Sequence, residues 1–214
     1  MQEKTINEIF SRWADDNPSP KIELDFVNEF TFLVAVVLSA RSTDVGVNKA
    51  TKSLFEVADT PRKMYDLGEE GLKEYIKSLS LFNSKTHNVI SLCNILLEKY
   101  ESKVPNNFED LLKLPGVGVK TANIVMNYLF GDLNIAVDTH VFRVCNRTGL
   151  ANEKNEKNTE AVLVKVVPDK WKKNAHLWLI LHGRYVCKAK NPECTKCIIK
   201  DLCEYKEKEL NSSL

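Results

Sequence analysis

The ten residues Leu114 to Asn123, L-P-G-V-G-V-K-T-A-N, constrain this chain more than any other stretch. A proline and two closely spaced glycines predict a tight turn, directly followed by a helix over about 118–130. Gly116 and Gly118 carry no Cβ, so the backbone can turn sharply there and come close to a ligand. The start of the following helix presents amide N–H groups and a partial positive charge. That combination is a phosphate-binding element. Lys120 falls in the first turn, where the helix dipole disfavours a cation, and a lysine amine without its proton is a nucleophile.

The P-loop pattern G-x-x-x-x-G-K-[ST] needs glycine immediately before the lysine. Val119 stands there, which excludes a P-loop. The stretch fits a helix-hairpin-helix: a helix over 108–114, a hairpin over 115–118, then the second helix. The plainer reading is a helix–turn–helix corner that binds nothing.

The chain has 214 residues, of which 43% are hydrophobic and 28% charged, enough for one large or two small domains with a real core. Its longest apolar run, Phe30 to Leu38, is too short to span a bilayer, so no membrane is expected as a partner. No basic-then-apolar leader is visible, which reads as a soluble, unsecreted protein. A net charge of +1 announces no polyanion partner, but charge is uneven. Residues 170–200 hold eight lysines and arginines against Glu193, either a solvated face or a footprint for an anionic polymer.

Cys187, Cys194, Cys197 and Cys203 are spaced C-x6-C-x2-C-x5-C, while Cys93 and Cys145 sit alone in helical patterns as buried small hydrophobes. Clustered cysteines in an unsecreted chain argue for metal over disulfides. Four thiolates suit zinc, but the unequal gaps suit the four corners of a [4Fe-4S] cubane equally well, and spacing leaves both open.

Helices are predicted over 3–14, 44–57, 69–79, 84–100, 108–114, 118–130, 139–148, 156–167 and 174–186, with short connections rich in Pro, Gly and Asn. Residues 31–38 are β-branched enough for a strand, yet their apolar positions do not alternate, so a helix buried on most sides fits as well. A polar tail after Tyr205 is expected to fray. Asp138 opens a helix in A-V-D-T-H-V-F-R, where an aspartate is a favoured N-cap. Beside an amine it is also what chemistry at an anomeric carbon needs, to stabilise oxocarbenium-like charge and help deprotonate the amine. His140 is read as a polar first-turn residue or as a group that positions a phosphate.

With these residues in view, the chain resembles the endonuclease III family of DNA glycosylases with lyase activity. The resemblance runs almost end to end, through L-P-G-V-G-V-K-T-A-N, A-V-D-T-H-V-F-R-V-C-N-R, L-I-L-H-G-R-Y-V-C and the tail ending C-I-I-K-D-L-C. It implies an all-α fold of two helical domains flanking a DNA-binding cleft. One is a six-helix bundle near 22–132 that holds the hairpin motif at about 108–131; the other joins 1–21 to 133–214 and carries the cluster loop. It implies a [4Fe-4S] cluster on Cys187, Cys194, Cys197 and Cys203, Lys120 as the nucleophile and Asp138 as the catalytic aspartate. The partner it implies is double-stranded DNA bearing damaged pyrimidines or abasic sites, met by a monomer in the cytoplasm, on the nucleoid in a prokaryote. The damaged base is flipped out, and Leu81, in S-L-F-N-S-K, matches a residue that wedges into the gap. Further DNA contacts are expected at Gly116, Gly118, Arg41 and His140, and at Lys188 and Lys190 in the cluster loop.

Two positions depart from the family pattern. Arg41, in L-S-A-R-S-T-D, stands where the family usually has a glutamine filling the vacated space, which puts lesion and opposite-base preference in doubt. Val119 replaces a commonly basic residue and removes a phosphate contact. A monofunctional glycosylase would use water and need no Lys120, a non-catalytic binding module would need neither Lys120 nor Asp138, and an electron carrier would need no phosphate hairpin.

Overall fold

A computed structural model of the chain describes residues 1–208. Among the described residues there are ten α-helices, three short 3-10 turns and no strand. No helix among them is long and apolar enough to cross a membrane. They divide into two compact units, Glu23–Phe130 and a discontinuous one in which Met1–Ile22 joins the residues from Gly131 on.

The contiguous unit is built around α2 (Glu29–Ser39), in which every residue from Phe30 to Leu38 is buried. This is the stretch whose pattern fits strand or helix. It is a helix because its N-terminus is closed by a reciprocal cap: Thr31 N donates to Asn28 Oδ1 at 2.9 Å and Asn28 N donates to Thr31 Oγ1 at 2.9 Å. Burial on all sides overrides the weak β preference of its valines. Packed on it are α3 (Asp44–Val57), α5 (Phe82–Lys99) and α7 (Val119–Phe130), with α4 (Pro61–Ile76) along α3 and α5, and α6 (Phe108–Leu112) against α7.

Some boundaries differ from expectation. The α4 helix begins at Pro61, not near 69, because Thr60 caps it and Pro61 suits a first helical position. Gly68, at φ 66°, breaks it inside, which is why only its second half carried a helical pattern. The α6 helix stops at Leu112 instead of 114, its last turn tightening through Leu114 N to Leu111 O.

In the discontinuous unit, α1 (Glu3–Asp16) and α8 (Thr139–Thr148) pack on α10 (Asp169–Tyr185), and α9 (Glu156–Val166) packs on α8. Ile6, Ile9, Phe10 and Trp13 of α1 share one core with Val141, Val144, Trp178 and Leu179. Beyond α10 come Cys187, then Cys194 in a turn at Cys194–Lys196 with Cys197 just after it, and Cys203 just after a turn at Lys200–Leu202. Arg12 of α1 donates to both Asp201 carboxylate oxygens, at 2.6 and 3.0 Å, and to Ile198 O at 2.9 Å, tying the first helix to this segment. The tail expected to fray after Tyr205 begins with a turn at Lys206–Lys208, held by Lys208 Nζ donating to Cys203 O; its remainder lies outside the described residues.

Candidate functional site

The hairpin between α6 and α7 is anchored by Leu114 and Val117, both buried, and closed by Val117 N donating to Leu114 O at 3.1 Å. Gly116 takes a left-handed conformation, φ 81°, and packs against Val37 and Asn88. Gly118, in contrast, would meet nothing within 4 Å if it carried a Cβ. Gly118, Val119 and Lys120 are exposed together at the opening of α7, which leaves the helix start open to an anion with the amine beside it.

Asp138 caps α8 in the discontinuous unit. Its Oδ1 accepts from His140 N and Val141 N, both at 2.9 Å, so two amides fix the carboxylate. His140 Nδ1 lies 3.3 Å from Arg143 Nη2. Arg143 and Arg147, one turn apart on α8, grip the backbone around Cys187. Arg143 donates to Cys187 O at 3.1 Å and Gly183 O at 2.7 Å, and Arg147 to Lys188 O at 2.6 Å and Ala189 O at 3.1 Å. Neither arginine is evident from the sequence as a site residue. Their i, i+4 spacing in R-V-C-N-R is the signal that points to them.

Cys187, Cys194, Cys197 and Cys203 all line one small pocket, with Thr148, His182, Ile199 and Tyr205. No disulfide joins them. Among the described residues no three His, Cys, Asp or Glu side chains are gathered to hold a single metal ion. Donors reach the sulfurs: Arg147 Nη1 lies 3.5 Å from Cys187 Sγ, Tyr205 N lies 3.4 Å from Cys203 Sγ, and His182 Nε2 lies 3.8 Å from Cys197 Sγ. Burial pushes the Cys197 thiol up to about 11 and raises that of Cys203. In the loop between Cys187 and Cys194, Lys188 is paired with Glu193, which Lys196 also reaches at 3.0 Å. These two lysines hold the Glu193 carboxyl at about 2. Lys190 is exposed and has no ion pair among the described residues.

Arg41 and Leu81 lie on adjoining loops of the contiguous unit. Both are exposed and both adopt left-handed backbone, φ 56° and 57°, although neither is glycine. That conformation costs such residues about 1–3 kcal/mol each and persists only where surroundings impose it. Here Ser80 Oγ donates to Arg41 O, and Ser42 Oγ stands 3.1 Å from Ser80 Oγ.

Residues 34–169 match the family described as HhH-GPD superfamily base excision DNA repair protein. The chain is 57% identical to Endonuclease III of Rickettsia felis over 205 residues, 96% of each chain, and 56% identical to Endonuclease III of Escherichia coli strain K12 over 201 residues, 94% of this chain and 95% of that one. Among solved structures it is similar to a trapped endonuclease III–DNA covalent intermediate, an estranged-adenine complex. That likeness has a TM-score of 0.90 and 39% identity, covering 99% of each chain. It is also similar to a thermostable thymine-DNA glycosylase, with a TM-score of 0.83 and 25% identity over 96% of this chain and 97% of that one. A family model that matches residues 34–169 and identities of 57% and 56% nearly end to end leave one assignment: the chain belongs to the endonuclease III family of base-excision DNA glycosylases.

Proposed function

We propose that this chain, acting as a monomer, excises oxidised pyrimidines from double-stranded DNA and cuts the strand on the 3′ side of the abasic site. It belongs to a family of DNA glycosylases with AP lyase activity, and Lys120 and Asp138 are the residues that carry the chemistry here. The observation that bears most weight is Lys120, exposed in the first turn of α7 beside the unobstructed Gly118. A relative 39% identical to this chain was captured as a covalent intermediate with DNA, and such a bond needs a nucleophile.

In this reading the amides that open α7 hold a backbone phosphate. The damaged nucleotide is rotated out of the stack, which brings its sugar within reach. Lys120 Nζ attacks C1′, the glycosidic bond breaks and the base leaves with its electron pair. Ring opening gives an imine between Lys120 and C1′. The imine acidifies the C2′ proton, whose loss drives out the 3′ phosphate. Water then releases the unsaturated aldehyde and restores the amine. Asp138, held by two amides, supplies a carboxylate that offsets positive charge developing at C1′ and accepts a proton from the attacking amine. Arg41 and Leu81 enter the duplex where the base has left.

Cys187, Cys194, Cys197 and Cys203 would hold a [4Fe-4S] cluster. Four thiols lining one pocket suit a cubane, which binds one at each corner. When bound, the cluster supplies four metal–sulfur bonds that fix the loop carrying Lys188 and Lys190.

The test is trapping. With a duplex containing thymine glycol and borohydride, the parent should form a covalent adduct. Lys120→Gln should form none while retaining most of its DNA affinity. Asp138→Asn keeps the cap, so it should melt like the parent and turn over at least about 100-fold slower. Trapping by Lys120→Gln at the parental level would sink the assignment. Base release without any adduct in the parent would point to water as the nucleophile.

A further inference from the structure

The polar groups behind Arg41 and Leu81 form a relay whose direction is fixed by counting hydrogens. Ser80 Oγ has one hydrogen and gives it to Arg41 O. The hydrogen between the two serines, 3.1 Å apart, must therefore come from Ser42. With that hydrogen committed, Ser42 accepts from Lys85 Nζ at 2.8 Å. The chain runs from a lysine that is 4% exposed, through two hydroxyls, to the carbonyl of an exposed residue in left-handed backbone. Each donor polarises the next. Ser80, the middle of the relay, immediately precedes Leu81, whose carbonyl accepts the backbone bond that opens α5 from Lys85 N at 3.0 Å whatever side chain stands there.

Lys85 is an expensive residue for the fold. Its ammonium has three donors, and among the described residues its side chain meets one hydroxyl and no carboxylate. Burial pushes the amine below the usual lysine range. A methionine would fill the same space without that desolvation. We propose that Lys85 is a positioning residue for lesion recognition: through Ser42 and Ser80 it holds Arg41 and Leu81 in the left-handed conformations that present their side chains to the duplex. The inference rests on the reading of Arg41 and Leu81 as residues that enter DNA.

Lys85→Met tests it in the full chain, on a thymine glycol duplex with 2-aminopurine opposite the lesion. Its melting temperature should be unchanged or higher. Single-turnover base release should fall roughly tenfold, as expected for one lost hydrogen bond from a charged donor, and the 2-aminopurine signal that reports separation of the opposite base should fall with it. Arg41→Ala should slow the parent but add little to Lys85→Met, because residues acting as one unit are not additive. Ser42→Ala breaks the relay with the lysine in place and should reproduce the loss, while Ser42→Thr restores the hydroxyl and should recover the rate. Parental rates in Lys85→Met or Ser42→Ala, or a full Arg41→Ala effect in the Lys85→Met background, would overturn the proposal. A parent that releases no base would overturn the functional reading itself.

Discussion

A methyl group on Gly116 would stand 3.0 Å from Val37 Cγ1 and 3.2 Å from Asn88 Cβ, on a backbone at φ 81°, whereas one on Gly118 would meet no atom within 4 Å. Gly116→Ala should therefore destabilise the protein by about 1–3 kcal/mol, read as a lower melting temperature. Gly118→Ala should melt like the parent and bind duplex DNA more weakly, because its methyl group occupies the approach to the amides of α7. Fluorescence anisotropy with a labelled duplex checks this, and parental affinity in Gly118→Ala would show that no phosphate comes close there. In sequence the two glycines read alike. Their difference is set by Val37 and Asn88, which tertiary packing brings to the hairpin from helices distant along the chain. Asp138 was more legible, because a cap is written in its own helix, with both its amide donors within three residues.

Among elements, those with local punctuation were readable and those defined by packing were not. The predicted bounds of α8 and α3 coincide with the structure because Asp138 and Thr43 cap them directly. The α2 helix was ambiguous because burial on every face erases periodicity. The segment after α10 has little regular structure, and its order comes from Arg143 and Arg147 bonding to backbone carbonyls. That scaffold gives its two lysines unequal prospects. Lys188 is committed to Glu193 while Lys190 is not. Lys190→Ala should weaken binding to damaged and undamaged duplexes alike and lower the salt slope by about 1, with a smaller change for Lys188→Ala. Affinities measured across a range of salt concentrations decide it. A larger slope change for Lys188→Ala would mean that DNA displaces Glu193.

At the scale of the whole molecule, the family was legible because its motifs are contiguous strings, whereas donors to the cysteines come from Arg147, His182 and Tyr205, outside the C-x6-C-x2-C-x5-C spacing. Purified protein should be yellow-brown, with broad absorbance near about 400 nm, where zinc–thiolate sites are transparent because Zn²⁺ is d¹⁰. Stoichiometric zinc without iron would overturn the cluster reading. The tie from Arg12 to Asp201 and Ile198 also bears on how the chain is born. The α1 helix shares its core with residues made more than a hundred positions later, while Glu23–Phe130 is contiguous and can fold as soon as it emerges. At about 5–20 residues per second, α1 waits roughly ten to forty seconds for its partners. Throughout that interval Ile6, Ile9, Phe10 and Trp13 lack the surface that buries them. The nascent chain thus carries an unburied apolar helix face until α8 and α10 have been made, and synthesis that stopped before Trp178 would leave it so.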